Sequence, residues 1–300
     1  MRSLSILLLC VPLLCAACSA DTGGTGTLIT EFPPDPLDAL DATPDPACTG
    51  TWAVGGRGQI VDESGVPVSG ARPQMCLRSP TDTLLCVMPP ESGADGFWHQ
   101  EVPEGEPRCI AEIALRALRP NAGFGTTYCH VPLTMNGGVI ELREPIVLYR
   151  TTPATSLPPL GDETAMRTVV LADGLELDVT PDVLFGDDYE QLAARRVDHT
   201  DPPCFARSTA LDGLYVLGPE TSVLGETGGF PVRIPANGLA EGSRVQLLVL
   251  GGLETRLADG SAVDEADFVP FGTGTVTDGM IVSDPGSELT YLSWLGYRAL

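Results

Sequence analysis

Lysine is absent. The 17 basic side chains are all arginine, set beside only three histidines and against 40 carboxylates, for a formal net charge of −23. Without lysine there is no Schiff-base chemistry and no phosphate-cradling P-loop lysine. So few cations also exclude a nucleic-acid partner, which needs clustered positive charge to neutralise phosphates, and electrostatic docking on an anionic membrane face. The histidines, His99, His130 and His199, lie more than a helical turn apart, and neither an H-E-x-x-H pair nor a G-x-S-x-G serine elbow occurs. Among Cys48, Cys76, Cys86, Cys109, Cys129 and Cys204 no pair has the C-x-x-C spacing of a structural zinc site. Aromatic residues make up only 6% of the chain. The apolar run Leu4–Leu14 is too short and wrongly flanked for a membrane-spanning helix.

What is present begins with that run. Arg2, the apolar stretch, Ala16 and Ala17 have the layout of a secretory leader over residues 1–17. The ending Leu14-Cys15-Ala16-Ala17-Cys18 resembles a bacterial lipobox, which implies that Cys18 becomes the lipidated first residue of the mature chain. Of nine cysteines, Cys10 and Cys15 leave with the leader and Cys18 takes the lipid. Cys48, Cys76, Cys86, Cys109, Cys129 and Cys204 remain, an even set that reads as a disulfide framework in an exported protein. The pairing expected is Cys76–Cys86, Cys109–Cys129 and a Cys48–Cys204 link between modules.

Residues 18–50 are rich in Gly, Thr, Pro and Asp and read as a disordered acidic stalk after the lipidated cysteine. From Thr51 to Arg150 short apolar stretches alternate with turns. The run Gly58-Gln59-Ile60-Val61-Asp62-Glu63-Ser64-Gly65-Val66-Pro67-Val68-Ser69-Gly70-Ala71, followed by Asp95-Gly96 and Val102-Pro103-Glu104-Gly105, resembles the carboxypeptidase regulatory-like domain. That resemblance implies a transthyretin-like antiparallel β-sandwich. Arg72-Pro73-Gln74 departs from the usual apolar start of its second strand and predicts an edge or kinked strand. The zinc peptidases that carry this module need an H-x-x-E pair, which none of the three histidines supplies.

Residues 151–165, with three prolines and no periodicity, read as a linker. Over residues 166–300 strands spaced by Gly- and Asp-rich turns predict a second β-sandwich. Tyr215–Glu220, Leu239–Ser243, Gly272–Gly279 and Leu292–Tyr297 resemble the β-sandwich module shared by zonula occludens proteins and netrin receptors. Neither resemblance carries catalytic residues; both imply interaction modules.

The chain is thus expected to be all-β, two antiparallel sandwiches after a leader and stalk. The function expected is a non-enzymatic surface lipoprotein of the outer membrane or cell surface, held to the membrane through Cys18 and binding an unidentified protein or glycan. Catalytic residues: none are assigned. Two alternatives rest on carboxylates. Asp187, Asp188 and Glu190, with the Asp259–Asp267 loop, would serve a hydrolase acting on extracellular polymer, provided that Asp188 and Asp264 face each other across a cleft. Asp259, Asp264 and Asp267 would instead hold calcium in an adhesin, since hard oxygen ligands suit that ion. No other cofactor is expected. Trp52, Trp98, Trp294, Tyr291 and Tyr297 are read as core, with sugar stacking the functional alternative.

Overall fold

The computed structural model describes residues 28–133, 138–223, 229–252 and 255–300. The leader 1–17 and Cys18 lie outside the described residues. The first unit contributes β1 (Thr51–Asp62), β2 (Arg72–Arg78), β3 (Leu84–Val87), β4 (Phe97–Glu101), β5 (Cys109–Ile110), β6 (Glu112–Leu118), β7 (Thr127–His130), β8 (Gly138–Glu141) and β9 (Ile146–Leu148). β1 is the hub of one sheet, pairing antiparallel with β4 and β5 and parallel with β8 and β9. The facing sheet runs β3-β2-β6-β7. Val61, the Glu63–Gly65 turn and Val68 fall where the sequence places them, with Gly65 at φ 76° making the tight return.

Two expectations for this unit need correction. The stretch Val139–Leu148 is two short strands, parallel to β1, so the sandwich is not purely antiparallel; Pro145 interrupts the ladder between them. β2 is internal, between β3 and β6, and is not an edge. Pro73 is tolerated because β3 begins pairing only at Met75, so Pro73 has a neighbour, Ala117, on one side alone.

The second unit contributes β10 (Thr152–Pro153), β11 (Arg167–Val170), β12 (Glu176–Val179), β13 (Ala193–Val197), β14 (Gly213–Ser222), β15 (Val232–Pro235), β16 (Arg244–Leu250), β17 (Phe268–Thr277), β18 (Met280–Ser283) and β19 (Tyr291–Ala299). They form one sheet in the order β10-β13-β14-β19-β16-β17-β18-β15-β12-β11, curled into a half-barrel. The expected linker is part of this sheet. Thr152–Pro153 pairs with β13, Ser156 bridges Val170 at the other end, and Leu157 and Leu160 pack on the core. Those backbone bonds fasten both ends of the sheet, which a free connection would not do.

The central strands are apolar on both faces, and alternation shows why. In β14, Tyr215 and Leu217 line the half-barrel core, whereas Leu214 and Val216 point to the first unit. In β19, Leu295 and Tyr297 face the core, and Trp294, fully buried, faces the first unit. Trp294 donates from Nε1 to the Thr126 carbonyl at 2.6 Å and meets Tyr149 and Phe205 edge-on at 5.1 and 5.0 Å. Gly125 permits this approach, since a Cβ there would sit 2.1 Å from Val216 Cγ2. At the same junction Glu220, with a side chain only 6% exposed, pairs with Arg116 and accepts from the Tyr128 and Tyr291 hydroxyls. Burial, and then the Glu220 charge, push both phenols well above the ordinary tyrosine range, so they remain donors.

All six cysteines are bridged, in a pattern only partly expected. Cys76–Cys86 forms as read; the other bonds are Cys48–Cys109 and Cys129–Cys204. The inter-module link therefore comes from Cys129, and Cys48 fastens the supposed stalk to β5. Three disulfides mark an oxidising, extracytoplasmic environment. No helix among the described residues is long and apolar enough to cross a membrane.

Residues 28–50 correct the disordered-stalk reading. Ile29 and Leu37 are buried, Ile29 N–H donates to the Arg143 carbonyl at 2.8 Å, and Phe32 sits beneath the guanidinium groups of Arg57 and Arg143. Asp35 and Asp38 pair with Arg57 at 3.2 and 2.8 Å. The composition is that of a spacer, but a few anchors suffice to seat it as a strap. Bonds from Arg57 hold the Asp38 and Glu141 carboxyls below their ordinary 3.8 and 4.5. For such groups the stabilisation is complete above the ordinary value and is lost as pH falls through the depressed folded one. Limited proteolysis of the strap is therefore expected to accelerate as pH falls below about 3.8, before the core unfolds. Cleavage that stays flat down to core unfolding would contradict the Arg57 anchorage.

Candidate functional site

The sheets of the first unit part between their terminal strands β7 and β8. Val131 and Leu133, following β7, form one wall of a cleft, and Ile140 and Leu142 form the other, with Ile146 behind them. Asp201–Arg207 of the second unit, fixed by Cys129–Cys204, completes the enclosure. The cavity measures about 570 Å³, within the range of small-molecule sites. Its existence follows from the local sequence: Glu141-Leu142-Arg143-Glu144-Pro145 breaks the strand and swings the chain away from β7, so the apolar side chains on either side are left half-buried.

Charge is confined to the rim and is internally neutralised. Glu141 receives Arg57 at 2.6 Å and also Arg143, and Glu144 is held by both terminal nitrogens of Arg207 across the module boundary. A general acid needs a carboxyl that keeps its proton near neutral pH. Arg57 instead lowers the Glu141 pKa, so it is poised as an anion.

The carboxylates singled out in the sequence are not brought together. Asp259 accepts from the Ser261 amide and hydroxyl in its own turn, Asp264 lies 3.5 Å from Arg78, and Asp267 lies 3.0 Å from His130. Among the described residues no group of three His, Cys, Asp or Glu side chains is placed to hold a metal. Asp188 is partly buried, and burial raises its pKa against a bond from Thr221, but it lines neither the cleft nor a smaller cavity of about 300 Å³ edged by Asp264 and Asp267. Asp187 and Glu190 are exposed. Trp98 and Trp294 are buried, as are Tyr291 and Tyr297, so these rings offer no stacking platform; Trp52 is half-buried in β1.

Sequence reasoning missed the cleft because its walls were read as ordinary strand alternation. The one signal was the Glu-Leu-Arg-Glu-Pro interruption inside Val139–Leu148.

No family model and no curated protein matches the chain. Among solved structures, a 3-chlorocatechol 1,2-dioxygenase from Rhodococcus opacus 1CP is similar over 36% of this chain and 64% of its own, less than two thirds of its length, at 13% identity and a TM-score of 0.23. A similarity of that size carries no argument about fold or chemistry.

Proposed function

We propose that this is an exported, lipid-tethered, non-enzymatic binding protein of the cell envelope whose ligand site is the cleft between β7 and β8. The observation that carries the reading is the cleft itself: a slot of about 570 Å³ walled in part by aliphatic side chains, with its rim carboxylates Glu141 and Glu144 in arginine pairs. The disulfides support export. The Leu14–Cys18 ending supports a lipid on Cys18, and the strap would then hold the first unit at the tether, since the described chain enters at Leu28 beside Arg143. A protein ligand on exposed strand edges and a glycan remain alternatives for the same module; the burial of Trp98 and Trp294 weighs against the glycan.

Growth with a labelled fatty acid tests the tether. The wild-type chain is expected to take up label and fractionate with membranes, and Cys18→Ser to lose both while keeping its disulfides. A labelled Cys18→Ser chain would remove the tether assignment. Saturable binding that is unchanged when the cleft is filled would remove the site.

A further inference from the structure

The chemistry of the cleft selects among small molecules, and this selection rests on reading the cleft as a binding site. We infer that it takes a single acyl chain carrying an uncharged polar head, the chemistry of a monoacylglycerol, and not a fatty-acid anion, an aromatic ring or a sugar.

Three features of the site lead there. The interior is aliphatic: Val131, Leu133, Ile140, Leu142 and Ile146 present branched methyl groups from opposite sides, and the one aromatic lining residue, Tyr149, is buried and already engaged edge-on with Trp294. Such walls match methylene groups and give a sugar nothing to stack on. The volume, about 570 Å³, has room for on the order of twenty water-sized groups, which fits one medium-length chain and a small head. Thr51 and Thr127 also line the cavity but are buried, the Thr127 hydroxyl already donating to the Val147 carbonyl, whereas Glu141, Arg143, Glu144 and Arg207 are more exposed, so a ligand with an apolar body and one polar end fits.

Charge decides the head. Glu141, Glu144 and Asp201 are matched by Arg57, Arg143 and Arg207, so the rim is balanced, and the whole chain carries −23. Arg207 is already bound to Glu144, and Arg143 to Glu141 and to the carbonyls of Ile29 and Thr30. An anionic head would find these guanidinium groups already paired and would have to displace their partners. Hydroxyl groups, by contrast, can donate to the rim carboxylates without adding charge.

Leu28 enters at the rim, and Ser19–Thr27, which precedes it, contains no apolar side chain larger than alanine that would mimic an acyl chain. The mouth lies beside the point where the tether would begin.

The test is calorimetric titration of the full chain carrying Cys18→Ser, free of detergent, with octanoyl, decanoyl and dodecanoyl glycerol below their aggregation limits, alongside the matching fatty acids. One site per chain is expected, with affinity rising about fourfold per added methylene while the slot fills. Each fatty acid should bind several-fold more weakly than its glycerol ester, the gap narrowing in high salt. Leu142→Trp, which fills the slot, should weaken binding more than tenfold. Val131→Trp fills it from the other wall and serves if the first variant does not fold; thermal melting near that of the parent qualifies either. Saturable binding of the aromatic probe anilinonaphthalene sulfonate with no dependence on acyl length would overturn the acyl assignment and leave the cleft a binding site. Absence of saturable binding by any of these ligands overturns both.

Discussion

Trp294→Ala is expected to lower unfolding stability by about 3–5 kcal/mol, the cost of deleting a fully buried large aromatic and leaving its cavity. The loss has three physical parts. The indole fills the space between Tyr149 and Phe205, and collapse into that space is resisted by strands fixed on both sides. The Nε1 bond to the Thr126 carbonyl disappears, leaving a buried acceptor. The contact also joins residues from the two units, so its loss weakens the junction and not one sheet alone. Denaturant titration checks it: a shift in midpoint at constant slope gives the expected loss. A change below about 1 kcal/mol would mean that the units are held together elsewhere.

Glu220→Gln is expected to cost a similar amount, about 3–5 kcal/mol, for an electrostatic reason. Arg116 is 19% exposed and Glu220 6% exposed at the side chain, so removing the negative charge leaves a largely desolvated guanidinium without its counter-ion. Burial works against the Arg116 charge, and Glu220 together with Tyr128 and Tyr291 more than offsets it, holding the guanidinium pKa above its ordinary value. The Tyr128 and Tyr291 hydroxyls lose a charged acceptor in the same substitution. A double-mutant cycle separates this from simple loss of packing. Glu220→Leu with Arg116→Met should be far less destabilised than the sum of the single changes, because the unpaired charge is gone. Additive effects would show that Glu220 and Arg116 act independently.

Much of the β architecture is legible in the sequence because the signals are local. Asp-Gly and Glu-Ser-Gly turns bound strands that appear at their expected places, and Arg244–Leu250 and Met280–Ser283 have the expected limits. Alternation in Tyr291–Tyr297 correctly separates Trp294 from Leu295 and Tyr297. What alternation does not say is what covers the second face. The continuous apolar runs Leu214–Leu217 and Leu247–Leu250 carry that information, since strands buried on both sides lose their polar face, but they do not name the first unit as the cover. Non-local pairing was the other failure. Cys109 and Cys129 lie close in sequence, yet strand order sends Cys109 to the strap and Cys129 to the second unit. Asp188–Gln191 forms a 3-10 turn, and Ala193–Val197 joins the sheet because its backbone pairs with β14.

The acidic loops stand out in the sequence because carboxylates are common in this chain; the partners of Asp264 and Asp267, Arg78 and His130, lie far off in sequence. The cleft was invisible for a related reason. Val131, Leu133, Ile140 and Leu142 have the character of core residues, and only the divergence of β7 from β8 turns them into walls.

Methyl NMR of the full Cys18→Ser chain, labelled at Ile, Leu and Val and titrated with dodecanoyl glycerol, tests the central claim most directly. Binding in the cleft predicts saturable shifts at Val131, Leu133, Ile140, Leu142 and Ile146, with the half-barrel core unmoved. Shifts confined to exposed methyls such as Leu28, Leu84 and Val282, or no saturable shift at all, would contradict it.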